Sequence, residues 1–339
     1  MLRHATASLL ALATALPALP AMADELNLFS ARHYDTDLQL YDLFTEATGI
    51  RVNLIEGSGD ELQARIEAEG ANSPADILLT VDAGRLHRAE VAGLFQPVDS
   101  DILTARIPAE LRHPDNLWFG LSSRARVIFH NADAGPPEGL SRMEDLADPR
   151  FEGEICMRSS SNIYSVSLLA ELIEVLGADA AEDWARGIGR NLARAPQGGD
   201  TDQIRAVAAG ECAVGISNTY YWGRLKASSN PADVAVADAT AFLFPNQDDR
   251  GTHTNISGAG VLVNAPNRDN AIAFLEFLVS DTAQQILADG NNEYPVVAGV
   301  QIEGPMAAFT DFRSSGVNAS VFGLNAAEAV MIWDRAGVP

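Results

Sequence analysis

The sequence predicts an α/β protein of two domains, and three observations carry that prediction. Short apolar runs alternate with amphipathic helical stretches along the first hundred residues or so. One apolar run, Trp118 to His130, is long enough to pass from one domain into another. The full length of 339 residues exceeds the usual size of one domain.

Each element follows from local pattern. Leu26 to Ser30 reads as a first strand and Ala31-Arg32-His33-Tyr34 as the turn after it. Asp35, Thr36 or Asp37 can cap a helix over Leu38 to Thr48, with Leu40, Leu43, Phe44 and Ala47 on one face and Gly49 as the stop. Ile50 to Ile55 is a second strand, Glu61 to Glu69 a second helix, Asp76 to Val81 a buried third strand, and Ala83 to Ala92 a third helix. This βαβαβ order implies parallel strands with right-handed crossovers. The Trp118 to His130 run is interrupted by Ser122-Ser123-Arg124. Ile155 to Arg158 is a strand, and Tyr164 falls in the first turn of a helix that continues to Leu176. Helices follow at Asp183 to Leu192 and, after the Gly-rich turn Pro196 to Asp202, at Gln203 to Ala209. Glu211 to Ile216 is a buried strand. Val234 to Ala237 and Ala241 to Phe244 read as strands, Ile256 to Val263 as a return strand, and Asn267 to Leu287 as a helix broken at Thr282. Glu293 to Val296 is extended, and Ala326 to Ala336 is a final helix.

Composition narrows the function. Residues 1–23 read as a secretory leader, with Arg3, an apolar centre over Leu9 to Leu19 and the cleavage pattern Ala21-Met22-Ala23, so the mature chain is expected in the periplasm from Asp24. A net charge of −23 argues against nucleic acid and against anionic membrane surfaces as partners. Lys226 is the only lysine, which leaves little room for Schiff-base chemistry. In an oxidising compartment the two cysteines, Cys156 and Cys212, read as a disulfide; free buried thiols are the other possibility.

Tyrosines mark the candidate site. Tyr220 and Tyr221 follow the Glu211 to Ile216 strand at the point where its pattern stops. Within a strand, neighbours face opposite sides; at a strand-to-helix junction two adjacent phenols can aim into one cleft. Clefts beyond the carboxyl ends of strands are where open α/β sheets bind ligands. Taken alone, the pair also fits one core tyrosine and one surface tyrosine. Tyr34 and Tyr164, however, also sit just after strands, so four of the six tyrosines lie at candidate cleft edges. Phenolate is a hard oxygen donor suited to ferric iron, and a trivalent cation can displace the phenolic proton directly. His33 offers a neutral nitrogen beside Tyr34. The helix start around Ser161, Asn162 and Tyr164 can stabilise a phenolate or a small anion such as carbonate. Arg124 can balance the charge of several phenolates; a salt bridge between the domains or at the surface is its other reading.

These residues resemble a known family. Ser30 to Asp37, Arg158 to Tyr164, Gln197 to Asp202 and Ser217 to Tyr221 together are similar to the periplasmic ferric-iron-binding proteins of ABC importers. The resemblance covers essentially the whole mature chain. It implies a two-lobe periplasmic-binding-protein fold of the transferrin-like, type II kind, with two hinge crossovers. The lobes would be residues 24–123 plus 248–298, and residues 124–247 plus 299–339. It implies a non-enzymatic monomer that holds Fe3+ with Tyr34 from the first lobe and Tyr164, Tyr220 and Tyr221 from the second, and that delivers it to an inner-membrane permease and its ATPase. His33 or carbonate would complete the shell, with Arg124, Ser161 and Asn162 near that anion. One subgroup of the family uses a glutamate after the third strand, where this chain has Thr80-Val81-Asp82. Two rival readings stay open at this point: the same fold binding an anion or polyamine, and a non-haem iron enzyme. The second is disfavoured because no further histidine lies near a tyrosine loop.

Overall fold

The computed structural model describes residues 24–32 and 34–339; the leader assigned to residues 1–23 and the candidate ligand His33 lie outside the described residues. Strand β1 (Glu25–Ser30) leads through helix α1 (Asp35–Thr48) to β2 (Arg51–Glu56), and through α2 (Gly59–Glu69) to β3 (Ile77–Val81). Helices α3 (Ala83–Val91) and α4 (Asp101–Arg106) precede the long β4 (Phe119–Asn131). Then come β5 (Ile155–Cys156), α5 (Ile163–Leu176), α6 (Ala178–Asn191), α7 (Asp200–Ala208), β6 (Val214–Asn218), α8 (Thr219–Lys226), α9 (Pro231–Asp238) and β7 (Thr240–Leu243). The chain returns through β8 (Thr254–Val261), α10 (Arg268–Leu278), α11 (Asp281–Asn291) and β9 (Tyr294–Pro295), and ends with α12 (Ser320–Leu324) and α13 (Ala326–Arg335).

The strands run in the order β2-β1-β3-β8-β4-β6-β5, with β7 and β9 also paired to β4. Pairs β1–β2 and β1–β3 are parallel, as the βαβαβ pattern requires, while β8 is antiparallel to both β3 and β4. The 13 residues of β4 serve two sheets. Its first part pairs with β8 as far as Ala125, and from Arg126 onward it pairs with β6 and β7. The core divides accordingly. Phe119 and Leu121 of β4 pack with Leu26, Leu28, Ile77, Leu79 and Phe274, whereas Ala125, Val127 and Phe129 pack with Ile204, Val207 and Leu225. In β3, Ile77 and Leu79 face one side of the sheet and Leu78 the other, the two-residue alternation of a strand buried on both faces. The C-terminal segment touches both halves: Ala319 and Phe322 join the first, Ala329, Ile332 and Trp333 the second.

Several local readings are corrected. Helix α1 starts at Asp35, not Leu38; Tyr34 is its extended N-terminal flank and makes no side-chain cap, so Asp35 and Asp37 occupy the first turn, where the helix dipole favours carboxylates. Ser122, Ser123 and Arg124 do not interrupt β4, because the Ser122 hydroxyl and the Arg124 guanidinium find buried partners at Glu293 and Ser257. Val234 to Ala237 is helical: Asn230 caps α9 by accepting from the Ala232 N–H at 3.1 Å, Pro231 presets its first turn, and only Ala237 of the stretch is buried.

Cys156 and Cys212 form a disulfide with a Cα–Cα distance of 5.9 Å. Cys156 lies in β5 and Cys212 two residues before β6, so the bond ties the segments that lead into the Tyr164 and Tyr220 loops. It spans 56 residues, a loop whose closure stabilises the folded state by about 4 kcal/mol on the chain-entropy account. Urea denaturation of the Cys156→Ser, Cys212→Ser double variant is expected to show a loss of ~2–4 kcal/mol against the oxidised protein.

Candidate metal centre

At the end of β6 the backbone turns from extended at Asn218 (φ −84°, ψ 148°) into α8, which begins at Thr219. That turn brings the neighbouring phenols to the same side: the Tyr220 and Tyr221 rings lie 4.2 Å apart. Asn162 caps α5, its side-chain oxygen accepting from the Tyr164 N–H at 3.0 Å, which holds Tyr164 in the first turn. The Tyr164 and Tyr220 hydroxyl oxygens then approach to 3.3 Å. Tyr34 reaches the same cleft from the other half. Arg32 lies 4.7 Å from its ring centre on one side, and Arg224 of α8 lies 4.5 Å from it and 5.5 Å from the Tyr220 ring. Arg224 thus joins Tyr34 to the second-half tyrosines.

The surroundings set the charge state. Burial pushes the Tyr220 phenol well above its ordinary value, and repulsion from Tyr164, Tyr221 and Tyr34 adds to it. Burial also raises Tyr34, with Glu293 adding to it, and raises Tyr221, with Tyr164 adding to it. These three phenols are therefore neutral at pH 7 when no cation is bound. Three guanidiniums stand around the Tyr164 ring, with Arg158, Arg124 and Arg126 at 5.3, 5.7 and 5.8 Å from its centre. Asp200, fully buried, pairs with Arg126 at 2.5 Å and with Arg158, and accepts from the Asn218 N–H at 3.2 Å.

Arg124 differs from its neighbours in its partners. It is buried, donates from Nη1 to Ser257 Oγ at 3.2 Å, and, like Arg126 and Arg158, leaves Nε without a partner. Among the described residues it has no carboxylate within salt-bridge distance. Arg32, by contrast, is bound to Glu293 and Asp37, each at 2.9 Å. Burial alone would raise the Glu293 carboxyl; Arg32 and Arg124 outweigh it and hold the group below its usual value.

The structure thus brings Tyr34, Tyr164, Tyr220, Tyr221 and Arg124 to one cleft. Asn162 acts there through its cap, while Ser161 Oγ is bonded to Ser159 Oγ at 2.8 Å on the exposed side of that turn. Sequence reasoning missed Arg224, Arg126, Asp200 and Glu293 as members of the site. Asp200 lay in a motif already singled out, and Arg126 stands two residues from Arg124 on the same strand face; Arg224 and Glu293 reach the cleft only through tertiary folding. Among the described residues no group of three or more His, Cys, Asp or Glu is placed to hold a metal ion.

Comparison with known proteins places the chain in context. The sequence profile of a family described as bacterial extracellular solute-binding protein matches residues 72–308. Iron uptake protein A1 of Synechocystis is 52% identical over 318 residues, 94% of this chain and 88% of that protein. A Trichodesmium protein, IdiA or FutA, solved in complex with iron and citrate, is 56% identical, with a TM-score of 0.91 over 93% of this chain and 100% of that one. The ferric binding protein from Campylobacter jejuni is 43% identical, with a TM-score of 0.87 over 93% of this chain and 100% of that one.

The raised phenols have a consequence for stability. Their folded values lie above the unfolded value of about 10, so their contribution is intact below that pH and is lost above it, where the unfolded chain releases phenolic protons more readily. Urea denaturation of the metal-free protein at stepped pH is expected to show stability falling from about pH 10 upward, with a smaller fall in Tyr220→Phe.

Proposed function

The chain belongs to the family of bacterial extracellular solute-binding proteins, and on that premise we propose that it captures ferric iron in the periplasm between two lobes and delivers it to an inner-membrane ABC permease and its ATPase. The observation that carries this reading is the 3.3 Å approach of the Tyr164 and Tyr220 oxygens in a buried, arginine-lined cleft that Tyr221 and Tyr34 also line. The names of the similar proteins support it: an iron uptake protein, an iron complex and a ferric binding protein.

In this reading the cargo is held by Tyr34, Tyr164, Tyr220 and Tyr221. Neutral phenols cost little to bury while the cleft is empty; a trivalent cation displaces their protons and binds the phenolates. Four phenolates exceed the charge of the ion, and Arg124, buried and with no carboxylate within salt-bridge distance among the described residues, offsets the excess. A further position is filled by His33 or by an oxygen anion such as carbonate, received by Arg124 Nε and by the positive N-terminal end of α5, which Asn162 caps; Ser161, on the exposed side of that turn, stands further out. The lobes divide near Ser123 and Asp248, with residues 24–123 plus 248–298 facing residues 124–247 plus the C-terminal segment, from which Ala319 and Phe322 reach back to the first lobe. Strands β4 and β8 are the hinge. Tyr34 belongs to one lobe and the other three tyrosines to its opposite, so iron binds the closed state more tightly than the open one, and that difference in affinity drives closure. The closed monomer is the form the permease reads.

Titration of the purified protein with a ferric salt is expected to give a visible phenolate-to-iron absorption band, and a colourless titration would contradict the site. Tyr220→Phe and Tyr221→Phe should each weaken binding by more than the roughly 10–100-fold typical of residues behind a ligand. Affinity should fall as pH falls, because each coordinating phenol must give up a proton, about four in all.

A further inference from the structure

Asp82 holds an uncommon backbone conformation. It follows β3, at φ 79° and ψ 127°, outside the left-handed helical region. The other non-glycine residues of positive φ among the described residues are all asparagines. An aspartate held in such a conformation stores strain, and strain of this kind persists only where surrounding contacts over-determine it.

The contacts here are specific. Asp82 is fully buried. Its Oδ1 accepts from the Gly84 N–H at 2.8 Å and from the Ser167 hydroxyl at 2.7 Å, and its Oδ2 accepts from Asn255 Nδ2 at 3.0 Å. Gly84 and Asn255 lie on α3 and β8, beside Asp82 in the first half. Ser167 alone comes from the second half, on α5, the helix whose first turn carries Tyr164. The approach is tight on both sides: a Cβ on Gly84 would meet Ile163 Cδ1 at 3.1 Å. One turn beyond Ser167, Glu171 contacts His253 at the start of β8. A single face of α5, carrying Ile163, Ser167 and Glu171, therefore meets the hinge side of the first half. None of these groups is a tyrosine of the cleft.

We propose that Asp82 is a positioning residue that latches the closed state: the strained carboxylate sits ready on the first lobe, receives Ser167 when the second lobe swings in, and so sets iron affinity without touching iron. The inference rests on the ferric-iron reading above. Its chemistry is asymmetric. In the open state Asp82 keeps Gly84 and Asn255 and meets water in place of Ser167. In the closed state the same oxygen is dry, and the Ser167 hydroxyl becomes its donor in a setting where such a bond is strengthened.

Ser167→Ala tests the latch. The variant should keep the visible iron band at the wild-type wavelength, while competition against citrate shows affinity lowered about tenfold. The melting temperature of the iron-loaded variant should fall and that of the iron-free variant should stay close to wild type, because the bond is absent when the lobes are apart. An affinity within twofold of wild type, or an equal drop in melting for both forms, would overturn the latch and leave the iron site standing. A wild-type titration with no band overturns the iron reading, and the latch with it.

Discussion

Two phenol oxygens 3.3 Å apart, on elements separated by 56 residues of chain, are the contact on which the rest of this structure turns. Neither tyrosine is there for packing alone. Tyr220 is buried deeply enough that its phenolate is strongly disfavoured, and Tyr164, whose hydroxyl touches it, would repel it if both were ionised. Two phenolates at that distance repel, so both ionise together only where a highly charged cation lies between the oxygens. The buried phenols Tyr34, Tyr220 and Tyr221 of the cleft are neutral when it is empty and, in the ferric-iron reading, ionise on loading. That property distinguishes it from a carboxylate site, which is charged in both states.

The fold supplies this arrangement through β4. Because it passes from one sheet to the next, its side chains serve both halves and the cleft between them. Alternation along the strand sends Ala125, Val127 and Phe129 into one core cluster and leaves Arg124 and Arg126 together on the opposite face, under the Tyr164 ring. Arg126 is neutralised by Asp200, which also secures Arg158 and the end of β6. Among the described residues Arg124 has one hydrogen-bond partner, the Ser257 hydroxyl, and an unpartnered Nε. Glu293 and Asp82 act on its charge from beyond contact distance and, with the phenols of Tyr164 and Tyr220, outweigh the cost of burying it; in the ferric-iron reading it also balances charge that arrives with the cargo. The disulfide between Cys156 and Cys212 braces the two segments that carry the second-half tyrosines.

How much of this was legible in sequence depended on whether the signal was local. The strands β1, β3, β4 and β6 announce themselves as apolar runs, and the tyrosines stand out because each follows such a run. Local chemistry also located the start of α5, through Asn162. The misreading of Val234 to Ala237 came from an apolar alternation too short to separate helix from strand; the decisive signals, Asn230 and Pro231, lay just upstream. The polar lining was the least legible part. Glu293 meets Arg32 across 261 positions of sequence, and Arg224 gains its meaning only from the Tyr34 ring beneath it. Asp82 caps α3, and nothing local shows that its backbone is strained or that Ser167 reaches it from α5 in the second half.

Resonance Raman spectroscopy of the iron-loaded protein, excited in its visible band, tests the central claim most directly. If Tyr34, Tyr164, Tyr220 and Tyr221 converge on one ferric ion, phenolate ring modes will dominate the enhanced spectrum, and each single Tyr→Phe change at these positions will diminish them. Iron bound without enhanced phenolate modes, or a spectrum indifferent to all four changes, would contradict the account.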